Sequence, residues 1–148
     1  MAEPQSPSDS LLESIRWIGW AQRKAAEDVF RARELSFEQG FALTFLVQNP
    51  GVIQRDLARI TRTTAGAVSS LLQGLERRGL VERRTEPGDD RSKRLHATQA
   101  GTDLIAGVDT AMDDVQEAIL GPLNPPEREA LQALLSKITA ALPKPTPP

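Results

Sequence analysis

The sequence predicts a mainly α-helical chain with one small β-hairpin, an α+β protein. Two observations carry that reading. Apolar residues recur at three- and four-residue steps along most of the chain. Only around Pro87-Gly88 do two short extended segments flank a turn. The length, 148 residues, suits one compact domain, or a small domain with an assembly element, since domains commonly run about 100–150 residues.

The polar start, residues 1–7, is expected to be disordered. From Ser8–Asp9 a first long helix is predicted, with Leu11, Ile15, Ile18, Ala25 and Val29 on one face and Trp17 and Phe30 widening it, ending near Arg33–Leu35. Ser36 followed three residues later by Gln39 has the form of a capping box opening a helix over Phe37–Val47, which Asn49-Pro50-Gly51 stops.

A short helix is predicted over Gln54–Ile60. After a polar break at Thr61-Arg62-Thr63-Thr64, Thr64 caps the next helix, whose apolar positions are Val68, Leu71, Leu72 and Leu75 and which stops at Gly79. This second helix of the pair presents a small, hydroxylated leading face that suits entry into a groove. Leu80–Arg83 and Arg94–Thr98 read as a strand and a returning strand around a polar loop. Leu104, Val108, Met112, Val115 and Ile119 predict a third long, continuous helix of roughly 30 Å. Pro125-Pro126 opens a last helix over Glu127–Leu142, and the Pro-rich tail, 143–148, is expected to be disordered.

The formal charge of −2 conceals an uneven distribution. Gln54–Arg94 holds ten basic and six acidic residues, +4, whereas the rest of the chain carries −6. A basic module in an acidic frame reads as a local electrostatic footprint and not as a uniformly repelling surface, although a merely solvated arginine face would leave the same pattern. Zero cysteines exclude disulfides, thiolate metal sites and thiol-based sensing. The longest apolar stretch, Phe41–Val47, is far short of the roughly 20 residues of a membrane span, and no signal pattern opens the chain, so a cytoplasmic protein without membrane contact is expected.

Neither a Ser-His-Asp arrangement nor a glycine-rich phosphate loop can be built, so no enzyme and no cofactor are expected. His96 lacks companion ligands at metal-binding spacing, and Asp113, Asp114 and Glu117 read as solvated helix surface. The three long helices carry apolar stripes that the basic module could hardly bury by itself, which favours a two-fold homodimer.

Gln54-Arg55-Asp56-Leu57-Ala58, Val68-Ser69, Leu75–Val81, Asp89-Asp90-Arg91 and Thr98-Gln99-Ala100-Gly101 together resemble the multiple-antibiotic-resistance regulator (MarR) family of winged helix-turn-helix transcription regulators. The Asp-x-Arg followed, seven residues after the Arg, by Thr-x-x-Gly is the most specific part. The resemblance implies a winged helix-turn-helix over 36–98, flanked by dimerisation helices at 8–35 and 99–142. It implies a homodimer that binds double-stranded DNA at a pseudo-palindromic operator, as a repressor in the first instance.

Carried over residue by residue, the resemblance makes Thr64, Ala65, Ala67, Ser69, Ser70 and Gln73 the groove-facing positions of the recognition helix. Arg91 becomes the minor-groove arginine of the wing, Asp89 its steadying carboxylate, with Lys93 and Arg94 beside them. Two departures stand out: Thr64-Ala65-Gly66-Ala67 replaces a common Ser-Pro-Ser-Thr, and Ser70 replaces a common Arg. Direct base readout is therefore expected to be sparse, with more dependence on Arg62, the wing and DNA shape.

Arg55, Arg62, Arg77, Arg78, Arg83 and Arg84 are candidates for phosphate contact. The family's habit of taking an aromatic or phenolic ligand makes Arg16, Trp17, Trp20, Phe41 and Phe45 candidate effector-pocket residues, an apolar lining with one cation. Alternatively, the chain is a winged-helix protein-interaction module whose basic face meets an acidic partner.

Overall fold

The computed structural model describes residues 10–143, with the side chains of 89–92 outside the described set. In chain order the elements are α1 (Leu11–Arg31), α2 (Phe37–Gln48), α3 (Gln54–Thr61), α4 (Ala65–Arg77), β1 (Val81–Glu86), β2 (Asp89–Ala97), α5 (Gln99–Leu104), α6 (Val108–Leu120) and α7 (Pro125–Ala141). The fold is mainly helical, with one small hairpin and long flanking helices, as the sequence predicts. The expected helical starts at Ser8–Asp9 and the two ends, 1–7 and 144–148, lie outside the described residues. Two compact units result: 30–109, and a helical unit of 10–29 with 110–143.

The core of the first unit is apolar throughout. Leu43, Leu46, Leu57, Val68, Leu72, Leu75, Leu95 and Val108 have fully buried side chains, and no polar or charged residue is buried among the described residues. Each such aliphatic side chain contributes about 1.5–3 kcal/mol by leaving water.

Local chemistry sets the element boundaries. Ser36 Oγ accepts from the Gln39 amide at 3.1 Å, and Gln39 Oε1 accepts from the Ser36 amide at 3.1 Å, closing the expected capping box. At the other end of α2, the Asn49 side chain donates to the Phe45 carbonyl at 3.0 Å. Gly51, at φ +85°, then turns the chain.

That turn does more than stop a helix. The Gly51 amide donates to the Leu95 carbonyl and the Leu95 amide to the Val52 carbonyl, both at 2.9 Å, so Val52 adds a bridge to the outer edge of β2. The hairpin itself is antiparallel and runs from Val81↔Ala97 to Thr85↔Lys93, with an irregularity between Thr85 and Glu86. It is longer than the sequence reading, because its ladder extends through polar residues to the Pro87-Gly88 turn, where Gly88 has φ +92°.

The third long helix is not continuous. It breaks into α5 and α6 at Ile105-Ala106-Gly107, where Gly107 adopts φ +82°. The apolar spacing survives the break, since Ile105 and Val108 are both buried, and that explains why periodicity alone reads through it. The freed carbonyls are satisfied by one side chain: Arg33 Nε donates to Leu104 O at 3.1 Å and Nη2 to Ala106 O at 3.3 Å.

Thr98 and Gly101 each have a defined task. Thr98 Oγ1 accepts from the Gly101 amide at 3.1 Å, capping α5, and donates to the Gly79 carbonyl at 2.6 Å. A Cβ at position 101 would collide with the Leu80 carbonyl oxygen, so the backbone of α5 packs there only with glycine.

In the helical unit, Asn124 caps α7 and forms a capping box with Glu127, at 3.0 and 2.9 Å. Arg128 clasps both carboxylate oxygens of Glu117 at 2.8 and 3.0 Å and donates to the Leu123 carbonyl at 3.2 Å. This bidentate pair holds the Glu117 carboxyl below its usual range, the hydrogen bond from Arg128 being the larger cause and its charge the next. No residue of α7 is buried. Leu134, Leu135 and Ile138 are exposed there, as are Leu142 at its C-cap and Leu11, Leu12, Ile15, Trp17, Ile18 and Trp20 of α1.

Candidate nucleic-acid interface

Two helices and a tight turn build the face that the charge distribution points to. Arg62 ends α3 in the left-handed region, φ 53°, and its amide donates to the Ala58 and Arg59 carbonyls. An arginine tolerates that conformation at a cost of roughly 1 kcal/mol. The reversal it makes brings Thr64 to the start of α4, where its hydroxyl accepts from the Ala67 amide at 3.2 Å.

The period of α4 then sorts its residues. Val68, Leu72 and Leu75 are buried, which turns Thr64, Ala65, Gly66, Ala67, Ser70 and Gln73 to solvent, with Ser69 half-buried at the margin. A Cβ at Gly66 would meet open space. The exposed strip is therefore small-sided and able to approach another surface closely, with three hydroxyls and one amide among its donors and acceptors. Gly79, at φ +70°, releases the chain from α4 into the hairpin.

Arginines surround this strip, and the structure divides them by what they hold. Arg55, Arg62 and Arg77 are exposed. Arg78 donates from Nη1 to the Glu34 carbonyl at 2.7 Å, a contact to the turn before α2. Arg84 is paired with Glu82, two residues away on the same face of β1. That pairing offsets the repulsion between Arg84 and Arg94, which lie directly opposite in the ladder.

Arg83 points the other way. It shares the inner face with Val81, its Nε donates to Glu76 Oε1 of α4 at 2.6 Å, and its Nη1 donates to Gln54 Oε1 of α3 at 3.0 Å. Arg94 is half-buried and donates to the Gly51 carbonyl at 3.3 Å; its Nε is buried with no hydrogen-bond partner among the described residues. Lys93 is exposed, and the side chains of Asp89 and Arg91 lie outside the described residues.

Other candidates fall elsewhere. His96 lies against Gly51 in the sheet, and among the described residues no group of three or more His, Cys, Asp or Glu could hold a metal ion. No described helix is long and apolar enough to cross a membrane. Arg16, Trp17 and Trp20 belong to the helical unit, with the two indoles 5.2 Å apart, whereas Phe41 and Phe45 belong to the other unit, where Phe41 stacks on Phe37 at 6.3 Å. A groove of about 310 Å³ in the helical unit is lined by Ile18, Gln22, Met112, Asp113, Val115, Gln116, Ile119 and Leu120, and by none of those five.

Comparison with known proteins agrees with this geometry. A model described as the MarR family matches residues 34–92, the stretch from the turn before α2 to the hairpin. The transcriptional regulator HosA of Escherichia coli O111:H- is 29% identical over 108 residues, covering 73% of this chain and 80% of HosA. The HTH-type transcriptional repressor NicR of Pseudomonas putida is 28% identical over 150 residues, covering 93% and 95% of the two chains.

Among solved structures, the S. aureus MepR–DNA complex superimposes with a TM-score of 0.75 at 27% identity, over 90% of this chain and 98% of that one. The family is one of regulators and not of enzymes. The helix pair with its exposed second helix, the adjoining hairpin and these likenesses lead to one conclusion: the chain has a winged helix-turn-helix fold whose residues 34–92 match the MarR family of DNA-binding transcription regulators.

Proposed function

We propose that the protein acts in the cytoplasm as a homodimeric repressor on a pseudo-palindromic operator, released by a small aromatic or phenolic compound. The observation that carries the DNA reading is the exposed small-sided face of α4 between the exposed arginines Arg62 and Arg77. In this reading Thr64, Ala65, Ala67, Ser69, Ser70 and Gln73 meet the major groove. Ser, Thr and Gln hydrogen-bond to base edges or phosphates, and Ala touches a thymine methyl. Arg91 enters the minor groove, steadied by Asp89, while Arg55, Arg62 and Arg77 contact phosphates.

The dimer is supported by apolar side chains left in water. Trp20 is 57% exposed and Leu134 60%, on helices that otherwise have amphipathic sequences. Regions 8–35 and 99–142 supply this assembly surface in our reading. A two-fold dimer places two recognition helices about one DNA turn, roughly 34 Å, apart. A ligand that changes that spacing weakens binding to both half-sites together. The repressor role is supported by the likeness to NicR, and the DNA-bound state by the likeness to the MepR complex.

Selection of bound duplexes from a random pool, with and without a panel of aromatic acids, tests this. Enrichment of an inverted repeat, lost in the presence of one compound, is the expected result. Failure to enrich any sequence at low salt would overturn the DNA reading and leave the protein-interaction alternative.

A further inference from the structure

The sequence makes Arg83 one of six equivalent phosphate-contact candidates, and its surroundings single it out. It stands on the inner face of β1, on the same side as buried Val81 and opposite buried Leu95 in the ladder. Its guanidinium joins three elements: β1 itself, Glu76 near the end of α4, at 2.6 Å, and Gln54 at the start of α3, at 3.0 Å. The side chains of Arg83 and Glu76 are only 29% and 31% exposed. Two donors of one planar fork are thus committed to acceptors on two different helices, a geometry that a flexible ammonium cannot reproduce.

We infer that Arg83 is a positioning residue for DNA recognition, which locks the wing hairpin to both helices of the helix-turn-helix so that wing and recognition helix meet the duplex as one body. The inference rests on the DNA reading above. A phosphate contact gives affinity and salt dependence without sequence choice. A positioning clasp does the reverse: when it is lost, the wing and α4 adjust separately, so the correct site loses more than a random one. Glu76 has the corresponding part. Its carboxylate sits within the basic module yet sharpens recognition, because it holds the arginine in place.

The test compares Arg83→Lys, Arg83→Met, Glu76→Gln and the Arg83→Met/Glu76→Gln pair in the full chain. The probes are the duplex enriched from the random pool and a shuffled duplex of the same composition. Arg83→Lys, which keeps the charge, is expected to lower the preference for the selected duplex about tenfold, as is Arg83→Met. The slope of log K against log salt stays at the wild-type value for both. Glu76→Gln is expected to lower the preference in the same direction, and the pair to lose no more than Arg83→Met alone.

The inference is overturned if Arg83→Lys behaves as wild type, or if Arg83→Met reduces the salt slope by about 0.9 while Glu76→Gln tightens binding by releasing the arginine to phosphate. Should wild type prefer no duplex, the DNA reading itself has failed. Amide exchange in the free protein then decides the clasp: the β1 amides should exchange faster, and equally, in Arg83→Met and Glu76→Gln, and unchanged exchange overturns it.

Discussion

Arg33 and Leu104 meet across the break between α5 and α6: the arginine Nε donates to the leucine carbonyl at 3.1 Å, over a sequence separation of 71. With the second donation to Ala106, the contact satisfies carbonyls that an uninterrupted helix would have used itself. Arg33→Met should keep the aliphatic stem and lose both bonds, lowering stability by about 1–3 kcal/mol in urea denaturation. A midpoint equal to wild type would show that water replaces the guanidinium without cost.

Gly107 provides the left-handed residue of the same break, at φ +82°. Gly107→Ala is expected to destabilise the chain by about 1 kcal/mol, because alanine pays the left-handed penalty that glycine avoids. Gly107→Asn should lie between the two. An alanine variant as stable as wild type would mean that the helix simply runs through.

Gly40 of α2 faces the Phe30 ring so closely that an added Cβ would collide with it. Ordinary helix propensity favours alanine over glycine by about 1 kcal/mol, but overpacking of this buried site costs about 1–3 kcal/mol. Gly40→Ala should therefore be neutral to destabilising, and Gly40→Val clearly destabilising. Combining either with Phe30→Leu should recover part of the loss, a non-additivity read from thermal melts.

The Glu117–Arg128 clasp gives a pH dependence whose sign is fixed. The folded-state pKa of Glu117 is lowered by Arg128, so its contribution is present above the unfolded carboxylate pKa and is lost as pH falls through the lower, folded one. Glu117→Gln should lose stability relative to wild type at neutral pH, and the two melting curves should converge at acid pH. Parallel curves at all pH values would remove the clasp from the account. Both side chains reach solvent, Arg128 at 30% and Glu117 at 60% exposure, so salt should narrow the difference.

Ile138→Glu tests the exposed apolar face of α7, where Ile138 is 49% exposed. In isolation the change would be nearly silent for the fold, since the side chain already meets water. If that face assembles two copies, sedimentation should show a shift to the monomer and DNA affinity should fall with it. A variant that sediments as wild type would place the assembly surface elsewhere.

What the sequence determined by itself was the order of the elements, most of their ends and the location of the basic module. Ser36 with Gln39, Thr64 and Gly79 are capping or turn residues whose hydrogen bonds close within a few positions, so local spacing suffices to read them. The exposed face of α4 was equally legible, because a 3.6-residue period places it opposite Val68, Leu72 and Leu75.

Only the tertiary structure decided where the third long helix breaks and what each arginine holds. Periodicity records which side of a segment is apolar, and Ile105 and Val108 keep that record across the break. The partners of Arg33, Arg78 and Arg83 lie on other elements. A guanidinium donates to any carbonyl or carboxylate within reach of its fork, and that reach depends on how distant stretches of chain pack together. Six arginines that the sequence could only group were thereby divided by what they hold: Arg78 and Arg83 reach other elements, Arg84 pairs with Glu82 on its own strand, and Arg55, Arg62 and Arg77 face solvent.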